Sequence, residues 1–206
     1  GMDDGLIGYN KIYNNSWGIF YSPDSYLQNT IEGNILVGNT RGIVFAGGHL
    51  SNKIYNNYFR NPYKNAVSDG TNSWNTTRTS ETNIIDGSFI GGNYWHDYTG
   101  QDLDSDGIGD TNLPYTSNGN IGYGGDWLPL VDINPPKYSN PTFSASSTSS
   151  TLNITWMDNV QLDKAILELD GINYTNVEKL QETLDFNEYY QVEHKITYSK
   201  SFSNLT

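Results

Sequence analysis

A short motif, Asn followed two residues later by Ile, recurs in the first part of the chain and constrains the fold more than any other feature. Three copies place Ile12, Ile31 and Ile54 at intervals of 19 and 23 residues. A fourth, variant copy covers Asn83–Ile90. The first three copies are each followed by a second apolar run, namely Gly18-Ile19-Phe20, Gly42-Ile43-Val44-Phe45 and Ala66-Val67. A period near 20 with very short strands predicts a solenoid, in which stacked repeats share one core.

Leucine-rich repeats have a similar period, but they require a ladder of Leu, and only four Leu precede residue 102. The rhythm of Asn and Ile instead predicts a parallel β-helix of about four rungs. Ile and Phe would point inward, Asn would occupy corners because it tolerates left-handed backbone, and Gly would relieve tight bends.

Both ends of a β-helix need covers, since an end exposes unpaired backbone and apolar interior. The Gly-, Asn- and Trp-rich segment 91–130 is expected to cover one end. At the other end the chain begins almost inside a rung. We expect this open end to pack against a partner molecule, including a second copy, or to continue a larger array.

Charge limits the classes of partner. The chain has 11 Lys and Arg against 23 Asp and Glu, a net charge of −12, which argues against nucleic acid and anionic membranes. No run of about 18 apolar residues predicts membrane insertion. The start, Gly1-Met2-Asp3-Asp4, lacks the features of a signal peptide and looks like the remnant of a tag, so any export signal is expected outside the given chain.

The densest chemistry lies in the nine residues from Asp102 to Asp110, which read D-L-D-S-D-G-I-G-D. Carboxylates at loop positions 1, 3, 5 and 9, Gly at 6 and a backbone carbonyl at 7 match the oxygen ligands that Ca²⁺ prefers. The predicted metal ligands are therefore Asp102, Asp104, Asp106, the carbonyl of Ile108, and Asp110.

The loop departs from an EF-hand, because position 12 is Leu113 and Pro114 argues against a following helix. A structural calcium loop of the dockerin or thrombospondin-repeat kind is the better comparison. Water or a distant carboxylate, Asp97 or Asp126, would supply the missing ligand. Because no basic residue lies between Arg78 and Lys137, the four crowded carboxylates are expected to repel one another without a cation.

The run G-N-Y-W-H-D-Y-T-G at 92–100, the Asp loop and the closing D-W-L-P-L at 126–130 resemble the end of the NosD-type β-helix family, also called CASH-domain proteins, over residues 8–131. This resemblance implies a right-handed parallel β-helix, typical of repetitive surface proteins in methanogenic archaea. Departures are His96, where a small polar residue is usual, and an insertion around 118–125.

Some relatives carry a copper-binding label. Copper sites favour clustered His, Met or Cys, whereas His49, His96 and His194 are isolated in sequence and the chain has two Met and no Cys. The sequence therefore does not support copper.

The composition changes after residue 133, where Pro135-Pro136 and a Ser/Thr-rich run predict a linker. We therefore divide the chain into a β-helix with its Asp-rich loop at 1–133, a linker at 134–150 and a β domain at 151–206. Period-two alternation predicts strands at 152–156, 165–169 and 192–198, with a hairpin turn at Asp170-Gly171. These strands resemble the first part of an immunoglobulin-like sandwich. An incomplete sandwich is expected to exchange strands between chains or to end in a mobile segment.

Together these features predict an extracellular, non-catalytic module of an S-layer or adhesin-like surface protein, stabilised by calcium, whose partners are glycans or neighbouring surface proteins. The alternative is a polysaccharide hydrolase or lyase, which needs paired carboxylates across a groove or a base with charge neutralisation. The repeats contain candidate residues for this alternative, but these form no recognisable motif: Asp24, Glu32, Asp69, Glu81, Asp86, Arg41, Arg60 and Arg78.

Overall fold

The computed structural model describes residues 5–23, 28–48, 51–134, 136–145, 149–158, 167–169, 172–174, 178–186 and 192–203. Within these ranges all regular structure is β-strand. The chain divides into two compact units, Gly1–Ile133 and Asn134–Thr206. In the described part of the chain, no helix is long and apolar enough to cross a membrane.

The first unit is a parallel β-helix with three complete rungs of three strands each. Strands at equivalent positions of successive rungs pair in parallel, so the rungs form three parallel sheets. The first rung contains β1 (Gly5–Gly8), β2 (Lys11–Tyr13) and β3 (Trp17–Tyr21); the second β4 (Asn29–Glu32), β5 (Ile35–Val37) and β6 (Arg41–Phe45); the third β7 (Lys53–Tyr55), β8 (Tyr58–Arg60) and β9 (Lys64–Ser68).

The strand register confirms part of the predicted repeat and corrects another part. The second apolar runs align as expected, because Ile19 pairs with Ile43, which pairs with Ala66. The placement of Ile12 beside Ile31 is wrong, because Ile31 pairs with Ile7 and Ile12 with Leu36. The first copy of the motif therefore lies on the second strand of its rung, whereas the next two lie on the first strand.

One corner of each rung combines a left-handed residue with an Asn. Tyr9, Gly33 and Asn56 have φ angles of 59°, 64° and 54°, and each immediately precedes an Asn in the next position. The left-handed residue turns the chain, and the following Asn bonds to the Asn of the adjacent rung. The prediction gave both roles at a corner to Asn. In the structure, the first corner residue has the left-handed backbone, and the Asn after it forms the bond to the next rung.

The fourth rung is assembled from separate segments. Ser73 bridges β7, β10 (Tyr94–Trp95) pairs with β8, and Ile121 bridges the end of β9, all in parallel. The predicted fourth repeat, Asn83–Ile90, is not a rung. Asn83 Oδ1 instead accepts the N–H groups of Ile85 and Gly87 and closes a turn. A side chain that satisfies its own backbone in this way competes with strand pairing.

Aromatic side chains fill the interior near this end. The Trp95 ring stacks between Phe59 and Tyr115, with ring centroids 4.4 and 4.6 Å apart. Trp74 meets Trp95 on one side and Phe45 on the other. Such rings carry large buried apolar areas and prefer these offset-stacked and edge-on arrangements. The core of the first two rungs contains one stacked aromatic pair, Tyr21 and Phe45, and the core is mainly aromatic where the segment 91–130 covers it.

The second unit contains a four-stranded antiparallel sheet of order β11-β12-β16-β15 and a separate pair, β13 with β14. Residues 137–145, assigned above to the linker, form β11 and pair with β12, so the linker is shorter than predicted. The predicted hairpin turn at Asp170-Gly171 lies outside the described residues. The strands are β11 (Lys137–Ala145), β12 (Ser149–Asp158), β13 (Leu167–Leu169), β14 (Ile172–Tyr174), β15 (Glu178–Phe186) and β16 (Val192–Ser203).

Candidate metal centre

The Asp-rich loop is shaped by its own carboxylates. Asp102 Oδ1 accepts the N–H of Ser105 at 2.7 Å, and its Oδ2 accepts that of Gly107 at 2.7 Å. Asp106 Oδ1 accepts the N–H of Ile108 at 2.8 Å. Gly107 has a φ of 86°, a conformation that Gly adopts at little cost. The turn predicted at loop position 6 is therefore present, and backbone N–H groups hold two of the carboxylates in place.

This turn brings three of the predicted ligands together. One carboxylate oxygen from each of Asp102, Asp104 and Asp106 lies within 4.8 Å of the others. Partial desolvation and then the charges of the neighbouring carboxylates raise the pKa of Asp104, whose side chain is exposed. The repulsion expected from the sequence is therefore visible at this residue. Among the described residues, Asp102, Asp104 and Asp106 form the group of potential ligand side chains that lie close enough together to share a metal ion.

Asp110 and Ile108 border the same loop. Asp110 Oδ2 accepts the N–H of Leu103 at 2.7 Å, which brings position 9 of the loop next to position 2. The Ile108 side chain is buried, and its backbone forms an antiparallel bridge with Leu130. These two predicted ligands thus lie beside the group of three and attach the loop to the closing segment of the β-helix.

Arg78 supplies a positive charge that the sequence did not reveal. Its Nη1 lies 2.5 Å from Asp106 Oδ2, and its guanidinium lies over the Phe89 ring, 3.9 Å from the centroid. Arg78 precedes the loop by more than 20 residues, and the turn at 83–90 carries the chain back. One of the four carboxylates therefore has an Arg partner, which offsets part of the negative charge expected to cause repulsion in this loop.

The structure does not bring Asp97 into this group. Its Oδ1 accepts hydrogen bonds from Asn65 Nδ2 at 2.7 Å and from the Tyr115 hydroxyl at 2.6 Å, and its Oδ2 accepts one from Asn118. Burial, followed by the bond to Asp97, raises the pKa of Tyr115. Asp97 instead lines an open cleft of about 220 Å³ with Tyr98, Asn112 and Tyr115.

Asp126, the other distant carboxylate, is fully buried. Its Oδ2 accepts hydrogen bonds from the Asn93 N–H at 2.7 Å and from Trp95 Nε1 at 2.8 Å, and its Oδ1 accepts the Leu128 N–H at 3.0 Å. Burial raises its pKa to about 6, although these hydrogen bonds favour the ionised form. Asp126 therefore forms hydrogen bonds inside the β-helix and does not join the carboxylates of the Asp loop.

The geometry defines an all-β protein whose first unit is a parallel β-helix closed by an acidic loop. Residues 2–100, just under half of the chain, match the family model described as "Periplasmic copper-binding protein (NosD)", so this part of the chain is similar to NosD-type domains, as the resemblance implied. The match ends just before the Asp loop. No curated protein and no solved structure matches the chain.

The copper named in that description does not fit the donors present. The group of three offers carboxylate oxygens only, whereas copper prefers imidazole and sulfur ligands. His96 is half-buried, and its Nδ1 lies 3.2 Å from Asn65 Nδ2 and 4.0 Å from Asp97 Oδ1. His49 lies outside the described residues, and His194 is placed on β16, in the second unit. Among the described residues, the group of three thus offers oxygen donors, which suit a hard cation better than copper.

Proposed function

We propose that the chain is a non-catalytic module of an exported surface protein, and that a calcium ion bound by the Asp loop stabilises it. The observation that carries this proposal is the convergence of oxygens from Asp102, Asp104 and Asp106 within 4.8 Å. Carboxylate oxygens are the ligands of hard divalent cations. Asp110 and the Ile108 carbonyl would complete the set, with water in the remaining positions.

The position of the loop explains how the ion would stabilise the fold. Gly109 donates its N–H to Pro129 O, and Val131 donates its N–H to Gly107 O. Two backbone hydrogen bonds therefore join the loop to the segment 129–131. Leu130 in that segment bridges Tyr94 of β10. An ion that orders the loop therefore also orders the cover of the aromatic core, and binding to the folded state alone raises stability.

The acidic composition and the family description support a location outside the cytoplasm. The family that matches residues 2–100 is described as periplasmic, and the net charge of −12 suits a solvated surface. We extend the proposal to a cell-surface role of the S-layer or adhesin kind, with the antiparallel second unit as an immunoglobulin-like neighbour. Exposed rings such as Trp17 and Tyr63 would stack on sugars if glycans are the ligands.

Calorimetric titration with Ca²⁺ and thermal melting with and without a chelator test the calcium proposal. We expect binding, and a lower melting temperature after chelation. Asp104→Asn should reduce both effects, because it removes the charge of an exposed ligand and keeps an oxygen that can accept the backbone N–H of Asp106. Asp69→Asn, an exposed carboxylate in the repeats, is the matched control. If neither titration nor melting responds to Ca²⁺, the proposal is wrong.

Incubation with polysaccharides tests the alternative, in which the chain is a hydrolase or a lyase. Release of reducing sugars or of unsaturated products from polysaccharides would support a hydrolase or a lyase. A glycan array with no turnover of the bound glycan would support the binding module.

A further inference from the structure

The outer face of the sheet β3-β6-β9 presents aromatic rings to solvent. Trp17 and Phe20 of β3 stack on each other, with ring centroids 4.6 Å apart, and are 48% and 44% exposed. Tyr63, which directly precedes β9, is 61% exposed. This face runs along the side of the β-helix, so a further rung at either end would lie beside these strands and would not cover them.

Two positive charges lie between these rings. Trp17 pairs with Arg41, and Arg41 pairs with Lys64, so the three residues occupy one column of the parallel sheet. The guanidinium carbon of Arg41 lies 5.0 Å from the centroid of the Tyr63 ring, and Lys64 Nζ lies 5.3 Å from it. Both distances are within the range of cation–π attraction. One aromatic ring therefore holds the two cations side by side.

This pair of like charges lacks a counter-charge within the described part of the chain. Like charges directly opposite each other in a sheet are destabilising. The net charge of the chain is −12, yet neither Arg41 nor Lys64 forms a salt bridge with a described carboxylate. Arg78, by contrast, is paired with Asp106. An anionic ligand would supply the missing charge.

A second column of the same sheet is apolar. Phe20 pairs with Val44, which pairs with Val67. Neighbouring strands are about 4.8 Å apart, so each column spans about 10 Å across the three rungs. The face therefore combines a charged column with an apolar column, and both run parallel to the axis of the β-helix.

This combination suits a sugar chain that bears acidic groups. The C–H faces of pyranose rings stack on aromatic side chains, and carboxylate or sulfate groups pair with Arg and Lys. The rung spacing of about 4.8 Å is close to the length of one sugar unit, so successive units would lie over successive rungs. A neutral sugar would leave the cations unpaired. Nucleic acid fits less well, because two cations neutralise few of its closely spaced phosphates and the acidic chain repels the rest.

We propose that the outer face of β3-β6-β9 binds an acidic glycan, whose sugars carry carboxylate or sulfate groups. Arg41 and Lys64 bind the acidic groups, and the rings of Trp17, Phe20 and Tyr63 contact the sugar faces. This assignment rests on the proposed function as a surface module, for which it names the class of ligand.

Three hexasaccharides with the same backbone test this proposal in calorimetric titrations at a fixed Ca²⁺ concentration. The first is neutral cellohexaose, the second carries a sulfate on each primary hydroxyl, and the third is the corresponding glucuronate hexamer. We expect at least one acidic form to bind about tenfold more tightly than cellohexaose, and added salt should reduce this preference. The tighter of the two acidic forms identifies the acidic group as sulfate or carboxylate.

Substitutions locate the binding site. Arg41→Gln and Lys64→Gln should each weaken binding of the acidic form about fivefold, and Trp17→Ala should weaken it about tenfold. Lys53→Gln is the matched control and should change nothing, because Lys53 also lies over a Tyr ring, 4.9 Å from the centroid of Tyr55, but belongs to the sheet β1-β4-β7. An unchanged melting temperature of each variant shows that the fold is retained.

Asp104→Asn separates this proposal from the calcium proposal, because a glycan bridged to the Asp loop by Ca²⁺ would lose affinity in this variant and a glycan on the sheet face would not. Equal affinities for the three hexasaccharides, no binding of any of them, or equal losses in Arg41→Gln and Lys53→Gln would overturn the proposal. These results would leave the effect of Ca²⁺ on melting, and with it the proposed function, untouched. Binding of hexaglutamate as tight as that of the acidic sugars would assign the face to acidic peptides instead.

Discussion

Asn93 donates its backbone N–H to Asp126 Oδ2 at 2.7 Å, so a buried carboxylate takes the place that an Asn occupies in every earlier rung. Asp126 changes the chemistry of this series of rung-to-rung hydrogen bonds at its last step, because Asp accepts from Asn93, Trp95 and Leu128 and donates to none of them in its ionised form. Closure of the β-helix therefore places one carboxyl group in a fully buried position.

The pH dependence of stability should report this charge. Burial raises the pKa of Asp126 from 3.8 to about 6. Because the folded state binds the proton more tightly than the unfolded state, the stabilisation from protonation is fully present below about pH 4 and is lost as the pH rises through about 6. A shift of about 2 pKa units corresponds to roughly 3 kcal/mol.

Urea unfolding at pH 4 and pH 7 measures this effect when the wild type is compared with Asp126→Asn, which does not titrate. We expect the wild type to lose roughly 2 kcal/mol relative to the variant over this interval. Asp69→Asn, at an exposed site, should follow the wild type at both pH values. Parallel pH profiles for the wild type and Asp126→Asn would contradict the assignment.

Gly92 should tolerate no side chain, because a Cβ at this position would collide with both carboxylate oxygens of Asp126. Gly92→Ala must displace the carboxylate or the strand, and we expect a loss of about 2 kcal/mol or more in the free energy of unfolding. Gly122→Ala is the matched control, since its nearest neighbour would be Ser68 O at 3.4 Å, and it should change stability by less than about 0.5 kcal/mol. Similar losses at both positions would contradict this explanation.

Periodicity in the sequence predicted the solenoid and the column of Ile19, Ile43 and Ala66, because inward apolar residues must repeat with the rung. It misplaced Ile12, because the same Asn-x-Ile pattern suits either strand of a rung and only pairing distinguishes them. The Asp loop was visible as a local pattern. The contacts of Arg78 and Asp126 were not, because they depend on the path of the chain between distant segments.

Arg78 and calcium should compete for Asp106. Arg78→Gln removes a guanidinium that is 2.5 Å from the carboxylate and nearly half exposed. Without calcium the variant should lose about 0.5 kcal/mol, as for other solvent-screened ion pairs. Calcium should then bind about threefold more tightly, because one ligand is released. Calorimetric titration and chelator-treated melting measure the two effects, and a weaker affinity for calcium in Arg78→Gln would show that Arg78 assists binding.

Asn10, Asn34, Asn57 and Asn93 are linked from rung to rung by side-chain hydrogen bonds, and the same substitution should have unequal costs at an interior and at a terminal member. Asn57 is fully buried, accepts two N–H groups from Asn34 and donates to Ile31 O, Tyr55 O and Asn93 Oδ1. Asn57→Ala leaves these groups unsatisfied, and we expect a loss of about 3 kcal/mol in urea unfolding. Asn10→Ala should cost about 0.5 to 1 kcal/mol, because Asn10 is exposed and its backbone N–H still reaches Asn34.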